Sequence, residues 1–125
     1  MREEEQIVRD FVQAWNEMSF NDVVSYLADD IFYHNIPMEP VSGIVAVTDY
    51  LKSAWIFSEC NWQILNIVSE AQVVLTERID DFVINSSPVS LPVMGTFEIK
   101  DSKISIWRDY FDLTTYQEQL SRAGL

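Results

Sequence analysis

The sequence predicts an α+β domain in which helices pack against one face of a curved β-sheet. Helical periodicity dominates the first part of the 125 residues, and strand-like alternation dominates the second part. Hydrophobic residues make up 48% of the chain, and no linker-like or repeated segment interrupts it. A chain of this size and composition can bury a core without disulfides, so we expect residues 1–125 to form a single domain.

The first part of the chain contains three predicted helices. Apolar residues recur at helical spacing within residues 3–17, at Ile7, Val8, Phe11, Val12 and Trp15. We expect a short second helix that uses Asn21 as its N-cap and ends before Asp29. After a short strand at residues 31–35, Pro37, Pro40 and Gly43 turn the chain into a third helix.

The second part of the chain is predicted to be mostly sheet. Runs rich in β-branched and aromatic residues predict four antiparallel strands, over residues 62–69, 73–83, 89–99 and 103–111. Polar turn residues separate these strands. A final helix should begin at Thr114 or Thr115, where Gln117 or Glu118 three residues later would complete a capping box.

Composition and charge exclude several classes of function. The chain carries 20 acidic and 8 basic side chains, a net charge of -12, which repels both nucleic acid and anionic membranes. Its first residues do not resemble a signal peptide, and no apolar run approaches the roughly 20 residues that cross a bilayer. We therefore expect a cytoplasmic protein with no nucleic-acid or membrane partner.

Residue counts also argue against metal and covalent chemistry. One His and one Cys cannot supply the usual ligands of a zinc site, and the three Gly residues form no phosphate-binding loop. No G-x-S-x-G motif is present, and Cys60 has only the distant His34 as a possible base. We therefore expect no metal and no cofactor, and an enzyme of this composition would depend on carboxylates and water.

Strand alternation brings charged residues to apolar faces. In the last predicted strand, Trp107, Asp109 and Phe111 share one face, and a carboxylate in that setting must be paired or protonated. In the strand over residues 73–83, one face carries Val74, Thr76, Arg78, Asp80 and Phe82. Because a guanidinium group can hold two carboxylates, we expect Arg78 to bridge Asp80 and Asp109.

Such a cluster has the components of acid–base catalysis. One arginine does not neutralise two buried carboxylates, so we expect one of the two acids to retain a proton. The ionised acid can accept a proton from water, while the protonated acid donates to a leaving oxygen, as in hydrolysis. Tyr33 and Asn35 share a face of their strand and can orient a water molecule beside the base.

Each of these residues also has a structural interpretation. An arginine and an aspartate two positions apart on a strand commonly form a solvent-exposed pair. Asp109 with its aromatic neighbours is also compatible with an oligomer interface, and Tyr33 and Asn35 with core and turn positions. The cluster of large aromatic residues favours the core or a dimer interface before a pocket wall, and comprises Trp15, Trp55, Phe57 and Trp62.

Residues 76–80 read TERID, and residues 106–113 read IWRDYFDL. Together these two segments resemble the limonene-1,2-epoxide hydrolase family. A third segment, FYHNIP at residues 32–37, is similar to the water-binding segment of that family. The similarity extends from about Glu5 to Tyr116. It implies a nuclear transport factor 2-like (cystatin-like) fold, in which a cone-shaped, curved mixed sheet packs on N-terminal helices.

The resemblance also implies an activity. The expected protein is a homodimer that has a deep apolar pocket and uses neither metal nor organic cofactor. Its expected substrate is a small apolar epoxide, cyclic and terpene-like, which water opens to a vicinal diol in one step. Because the first helix begins close to Met1, we expect that an N-terminal extension found in some relatives is absent and that substrate choice is altered.

Residue roles follow from matching positions. The resemblance implies that Asp109 is the general base and that Tyr33 and Asn35 help to hold the attacking water. Asp80 is then the general acid to the epoxide oxygen, and Arg78 bridges the two acids. The implied pocket walls are Val12, Trp15, Trp62, Phe82, Leu91, Val93, Phe111 and Tyr116.

Three other functions remain open at this level. A ketosteroid-isomerase-like proton shuttle also uses a carboxylate and a tyrosine, but Arg78 beside both acids would hinder keeping one of them as a neutral donor. An epoxide-opening cyclase would replace water by a hydroxyl group of the substrate, and only Tyr33 and Asn35 favour water. A non-enzymatic, small-ligand-binding dimer is the third alternative, which the fold alone neither favours nor excludes.

Overall fold

Within residues 2–125, the part of the chain that it describes, the computed structural model contains four α-helices and six β-strands. The helices are α1 (Glu3–Asn16), α2 (Phe20–Ser25), α3 (Ile44–Ala54) and α4 (Leu113–Arg122). The strands are β1 (Leu27–Asn35), β2 (Val41–Ser42), β3 (Glu59–Glu70), β4 (Val73–Ile84), β5 (Ser87–Lys100) and β6 (Lys103–Tyr110). None of these four helices is long and apolar enough to cross a membrane.

The strands form one open, mixed sheet in the order β2-β1-β6-β5-β4-β3. Strands β3 to β6 are antiparallel neighbours, as the sequence predicts, whereas β1 and β6 pair in parallel. Helix α1 packs against β3 and β4, α3 against β1 and β2, and α4 against β5. The predicted α+β fold, a curved mixed sheet packed on helices, is confirmed.

The core lies between α1 and the inner face of the sheet. Phe11 of α1 meets Trp107 of β6 edge to face, with ring centroids 5.0 Å apart, and both residues are fully buried. Alternation along β4 and β5 is regular, so every second side chain of these strands enters the interior. On β4 the inward side chains change from apolar Val74 to polar Thr76, Arg78 and Asp80, which are also buried.

Several predicted boundaries differ from the structure, and one strand was not predicted. The second helix begins at Phe20 with Ser19 as its N-cap, not after Asn21, because Phe20 packs edge to face on Trp55 at 5.1 Å. Strand β1 begins at Leu27, which is buried and pairs with Ile104, and a register shift accommodates the following residues. The two-residue strand β2 was not predicted, since nothing in so short a segment distinguishes it from a turn.

The last helix is capped differently from the prediction. It begins at Leu113, and the Asp112 carboxylate accepts hydrogen bonds from the backbone N–H of Thr115 at 3.0 Å and from its hydroxyl at 2.6 Å. A capping box starting at Thr114 or Thr115 is therefore wrong. An ionised aspartate is an effective N-cap because it accepts charge-assisted hydrogen bonds from the first turn.

Candidate active site

Arg78 lies at the centre of a buried cluster of charged side chains on the inner face of the sheet. Its Nε and Nη2 donate to the two carboxylate oxygens of Asp80 at 3.0 and 2.9 Å. Its Nη1 and Nη2 donate to the two carboxylate oxygens of Asp109 at 3.2 and 3.1 Å. The second Nη1 hydrogen is directed to Thr76 Oγ1 at 3.2 Å, so all five N–H groups of the guanidinium have acceptors.

Burial separates this cluster from an ordinary surface ion pair. Arg78 is 0% exposed, and Asp80 and Asp109 are each 5% exposed. The solvent-exposed pairing that the sequence also allowed is therefore excluded for Arg78 and Asp80. Removing one partner from such a cluster would leave an uncompensated buried charge, which costs about 3–5 kcal/mol.

The environment shifts the protonation of two members of the cluster. Burial raises the pKa of Asp80 to about 6, although the adjacent Arg78 opposes this shift. Burial acts to lower the pKa of Arg78, but the carboxylates of Asp109 and Asp80 outweigh it and raise that pKa above its usual value. Arg78 is thus held as a cation, while Asp80 can bind or release a proton near neutral pH.

Stacked aromatic rings pack against the guanidinium of Arg78. The guanidinium carbon of Arg78 lies 4.9 Å from the ring centroid of Trp62, a cation–π contact. Trp62 in turn stacks on Trp15 at 4.5 Å. The side chain of Asn16, at the end of α1, fixes Trp62 by accepting from its backbone N–H at 2.6 Å and donating to its carbonyl at 3.0 Å.

Tyr33 and Asn35 lie on the next strand from Asp109. In the parallel pairing of β1 and β6, Tyr33 is opposite Trp107 and Asn35 is opposite Asp109. The Tyr33 ring stacks on Trp107 at 4.0 Å, and its hydroxyl donates to Asn35 Oδ1 at 3.2 Å. Burial, followed by the nearby Asp109, raises the pKa of Tyr33 well above its usual value, which keeps the phenol a donor.

A cavity of about 140 Å³ lies above this cluster. Asp80, Asp109, Tyr33 and Asn35 contribute to its wall, whereas Arg78 lies behind the two acids and does not line it. Its remaining lining is largely apolar and aromatic. The structure therefore presents two carboxyl groups, a phenol and an amide to one side of a small apolar space.

Most of the wall residues implied by the resemblance do line this cavity. They are Trp15, Trp62, Phe82, Leu91, Val93, Phe111 and Tyr116. Val12 does not: it is buried on α1 and lies outside the lining. Trp15, Trp62 and Phe57 combine core packing with a place in the wall.

Several lining residues were missed by the sequence analysis. Tyr50 and Leu51 come from α3, and Met38 and Ile56 come from the connections that follow β1 and α3. The helical periodicity of α3 identifies Leu51 as inward-facing, but only the tertiary packing of α3 on β1 shows that this face borders the cavity. Cys60 also lines the cavity, and burial raises the pKa of its thiol to about 12.

Within residues 2–125, no group of three or more His, Cys, Asp or Glu side chains is arranged to hold a metal ion. The chemistry that the site itself can offer is proton transfer and hydrogen bonding. Asp80 and Asp109 are the two carboxyl groups in the cavity lining, and Asn35 contributes an amide beside them.

The chain is similar to known proteins over most of its length. Residues 2–122 match the family model of the limonene-1,2-epoxide hydrolase catalytic domain. The chain is 32% identical over 106 residues to epoxide hydrolase EphG of Mycobacterium tuberculosis, covering 85% of this chain and 71% of that protein. The solved structure of an M. tuberculosis LEH-like epoxide hydrolase matches with a TM-score of 0.84 at 30% identity, covering 97% and 91% of the two chains.

A more distant solved structure shows the same fold. SalBIII is described as an epoxide hydrolase/cyclase-like enzyme with a role in pyran ring formation in the polyether salinomycin. It matches with a TM-score of 0.79 at 15% identity, covering 90% of this chain and 92% of that one. At this identity the match concerns the fold and leaves the reaction open.

Proposed function

Because the chain belongs to the limonene-1,2-epoxide hydrolase family, we propose that it adds water to a small apolar epoxide to give a vicinal diol, in one step and without a cofactor. The observation that carries this proposal is the buried Arg78, which holds Asp80 and Asp109 by two bidentate contacts at the wall of an apolar cavity. Two acids with one cation between them provide a base and an acid on the same face of a substrate.

In the proposed reaction, the enzyme takes one proton from water and gives one proton to the epoxide oxygen. Asp109 accepts a proton from water as the water oxygen forms a bond to one epoxide carbon. The bond from that carbon to the epoxide oxygen breaks, and the oxygen takes the proton of Asp80. The product carries one hydroxyl group from water and one from the epoxide, and proton transfer from Asp109 to Asp80 restores the starting state.

The attacking water is proposed to bind between Asp109 and Asn35. The hydroxyl of Tyr33 donates to Asn35 Oδ1, which orients the amide so that its nitrogen can donate elsewhere. A water molecule that accepts from this nitrogen and donates to Asp109 has its remaining lone pair available for attack. Positioning of this kind lowers the barrier because the reacting groups are already aligned.

The volume and the apolar lining of the cavity favour a small, apolar, monocyclic substrate. An engineered protein cavity of about 150 Å³ binds benzene, and the volume here is 140 Å³. Aromatic walls from Trp62, Phe82 and Phe111 offer contacts to a hydrocarbon ring and no charge to recognise an ionic one. A cyclic epoxide of terpene type matches this chemistry, with the epoxide directed to the two acids.

An epoxide-opening cyclase is the second candidate function, since SalBIII, which shares the fold, is described as epoxide hydrolase/cyclase-like. There the nucleophile would be a hydroxyl group of the substrate, and the same two acids would transfer the protons. The Asn35–Tyr33 pair beside Asp109 favours water as the nucleophile. Ketosteroid-isomerase-like chemistry is disfavoured because its donor acid must stay neutral well above neutral pH, whereas the pKa of Asp80 is raised only to about 6.

Product analysis distinguishes these functions. The native protein, Asp109→Asn and Asp101→Asn are each incubated with cyclohexene oxide, limonene oxide and an acyclic epoxide carrying a free hydroxyl group. The proposal predicts diols from the native protein and from Asp101→Asn, which makes the same chemical change in the turn between β5 and β6. Cyclic ethers alone would assign the cyclase, and no product with folded native protein would favour ligand binding.

We also propose that the chain is a homodimer that pairs through the outer face of the sheet. Large apolar side chains are exposed on strands β3 to β6, at Leu65, Val68, Val73, Leu75, Met94 and Tyr110. Two pairs of them are cross-strand neighbours, Val68 with Leu75 and Met94 with Tyr110, and exposed apolar clusters occur at subunit interfaces. Light scattering after size exclusion should give twice the monomer mass of 14.5 kDa, and Leu75→Glu should give the monomer mass.

A further inference from the structure

Four residues form a row across the inner face of the sheet. Thr76 of β4 is opposite Gly95 of β5, Gly95 is opposite Asp109 of β6, and Asp109 is opposite Asn35 of β1. Neighbouring strands are about 4.8 Å apart, so β4 and β6 are separated by roughly twice that distance. Arg78 of β4 therefore reaches Asp109 only by crossing over β5.

The crossing occurs at Gly95, where β5 has no side chain. A Cβ atom built on Gly95 would lie 2.3 Å from Arg78 Nη1, 2.7 Å from Asp109 Oδ1 and 3.0 Å from Thr76 Oγ1. Even the smallest side chain would thus occupy the space through which the guanidinium reaches the base. Glycine in the interior of a strand is unfavourable, and here close approach of another group accounts for it.

The hydroxyl of Thr76 fixes the guanidinium from the other side. Its oxygen accepts from Arg78 Nη1 at 3.2 Å, and the hydroxyl is directed to the Gly95 carbonyl oxygen at 3.4 Å. Thr76 is 1% exposed and does not line the cavity, so it does not touch a substrate there. Its contact with Arg78 involves the same nitrogen that donates to Asp109 Oδ1.

We propose that Thr76 is a positioning residue, whose hydroxyl holds the Arg78 guanidinium over Gly95 in the plane where it binds both carboxylates. This inference deepens the proposed function and rests on it. Without the hydroxyl, Nη1 loses one acceptor in a buried site, and the guanidinium turns to recover it. Such a rotation breaks the bidentate contact with Asp109 and displaces the base from the attacking water.

Paired substitutions test the role of the hydroxyl group. Thr76→Val keeps the shape of the side chain and removes the hydroxyl, whereas Thr76→Ser keeps the hydroxyl and removes a methyl group. Thr96→Val, next to Gly95 but on the outer face of β5, is the matched control. We expect Thr76→Val to lower kcat for epoxide opening by about tenfold with an unchanged KM, and Thr76→Ser and Thr96→Val to retain the native kcat.

A titration provides a readout that does not require turnover. The carboxyl carbon of Asp80 is followed by NMR in the native protein, Thr76→Val and Thr76→Ser. Looser binding of Arg78 should raise the pKa of Asp80 in Thr76→Val and leave it unchanged in Thr76→Ser. If the native protein opens no epoxide, this shift still tests the positioning role, so the two proposals fail separately.

Two results would overturn the inference. One is a native kcat and a native Asp80 titration in Thr76→Val, and the other is an equal loss of kcat in Thr76→Ser and Thr76→Val. If Thr76→Val does not fold, Gly95→Ala is measured with the same two readouts, since it blocks the same crossing. A native kcat in folded Gly95→Ala would also contradict it.

Discussion

Asn35 lies directly opposite Asp109 where β1 and β6 run parallel, so an amide and a carboxylate from distant parts of the chain border the cavity side by side. The backbone also joins the two positions, because the N–H of Ile36 donates to the carbonyl oxygen of Asp109 at 2.9 Å. This hydrogen bond fixes the spacing of the strands at the point where the proposed water binds.

Removing the amide tests its part in water positioning. Asn35→Ala should lower kcat by about 10²-fold because the water loses its donor, and the base then acts on a poorly oriented nucleophile. Tyr33→Phe should cause a smaller loss, since Asn35 keeps its nitrogen but loses the phenol that orients it. Steady-state kinetics on cyclohexene oxide, with Asp101→Asn as control, measures both effects, and native kcat in Asn35→Ala would remove Asn35 from the water site.

The pH dependence of turnover should report on Asp80. The proposed general acid must be protonated, and burial raises its pKa to about 6. The value of kcat/KM should therefore decline as the pH rises above about 6, approaching about tenfold per pH unit. Measurements from pH 4.5 to 9 should show this decline in kcat/KM. A kcat/KM that stays constant up to pH 9 would be inconsistent with Asp80 as the acid.

The same carboxyl group should make stability depend on pH. Its pKa is raised from 3.8 to about 6 by folding, so its contribution is fully present below pH 3.8 and is lost as the pH rises through 6. The shift corresponds to about 3 kcal/mol. Relative to Asp80→Asn, the free energy of unfolding of the native protein should fall by about this amount between pH 3.5 and pH 7.

Urea denaturation at several pH values measures this difference. Asp80→Asn cannot titrate at this position, so subtracting its curve removes the contributions of acidic residues outside the Arg78 cluster. A difference that does not change with pH would show that Asp80 has the same pKa in the folded and unfolded chain.

The contact between the Trp62 ring and the Arg78 guanidinium should contribute to the free energy of unfolding. Trp62→Leu removes the ring under Arg78, whereas Trp62→Phe keeps a smaller one. Both leave space in the core, but Trp62→Leu should be less stable than Trp62→Phe by about 1 kcal/mol, because a cation–π contact contributes about that much. Thermal or urea denaturation of the two variants provides the comparison, and equal stability would indicate that the ring acts only as a wall.

The charged cluster was accessible from sequence because strand alternation has a period of two. That period alone places Arg78 and Asp80 on one face and Asp109 between aromatic residues, and the cost of burying these groups requires them to meet. The observed contacts agree with this expectation in geometry. Their roles in catalysis stay predictions.

Other features depend on tertiary contacts that no local pattern contains. The parallel pairing of β1 with β6 and the place of α3 at the cavity follow from the order of strands, which alternation does not determine. The helix start at Phe20 depends on its aromatic packing against Trp55, and the place of Val12 outside the cavity lining depends on how α1 packs on the sheet. The need for glycine at position 95 could not be predicted, because it depends on the path of the Arg78 side chain across β5.

Direct attack of water activated by Asp109 is tested by a single turnover in ¹⁸O-labelled water. Enzyme in excess over cyclohexene oxide should give a diol that carries one labelled oxygen in the first turnover, and Asp109→Asn should give none while remaining folded. An unlabelled first-turnover diol would mean that an enzyme carboxylate attacks the epoxide, and labelled diol from Asp109→Asn at the native rate would exclude Asp109 as the base.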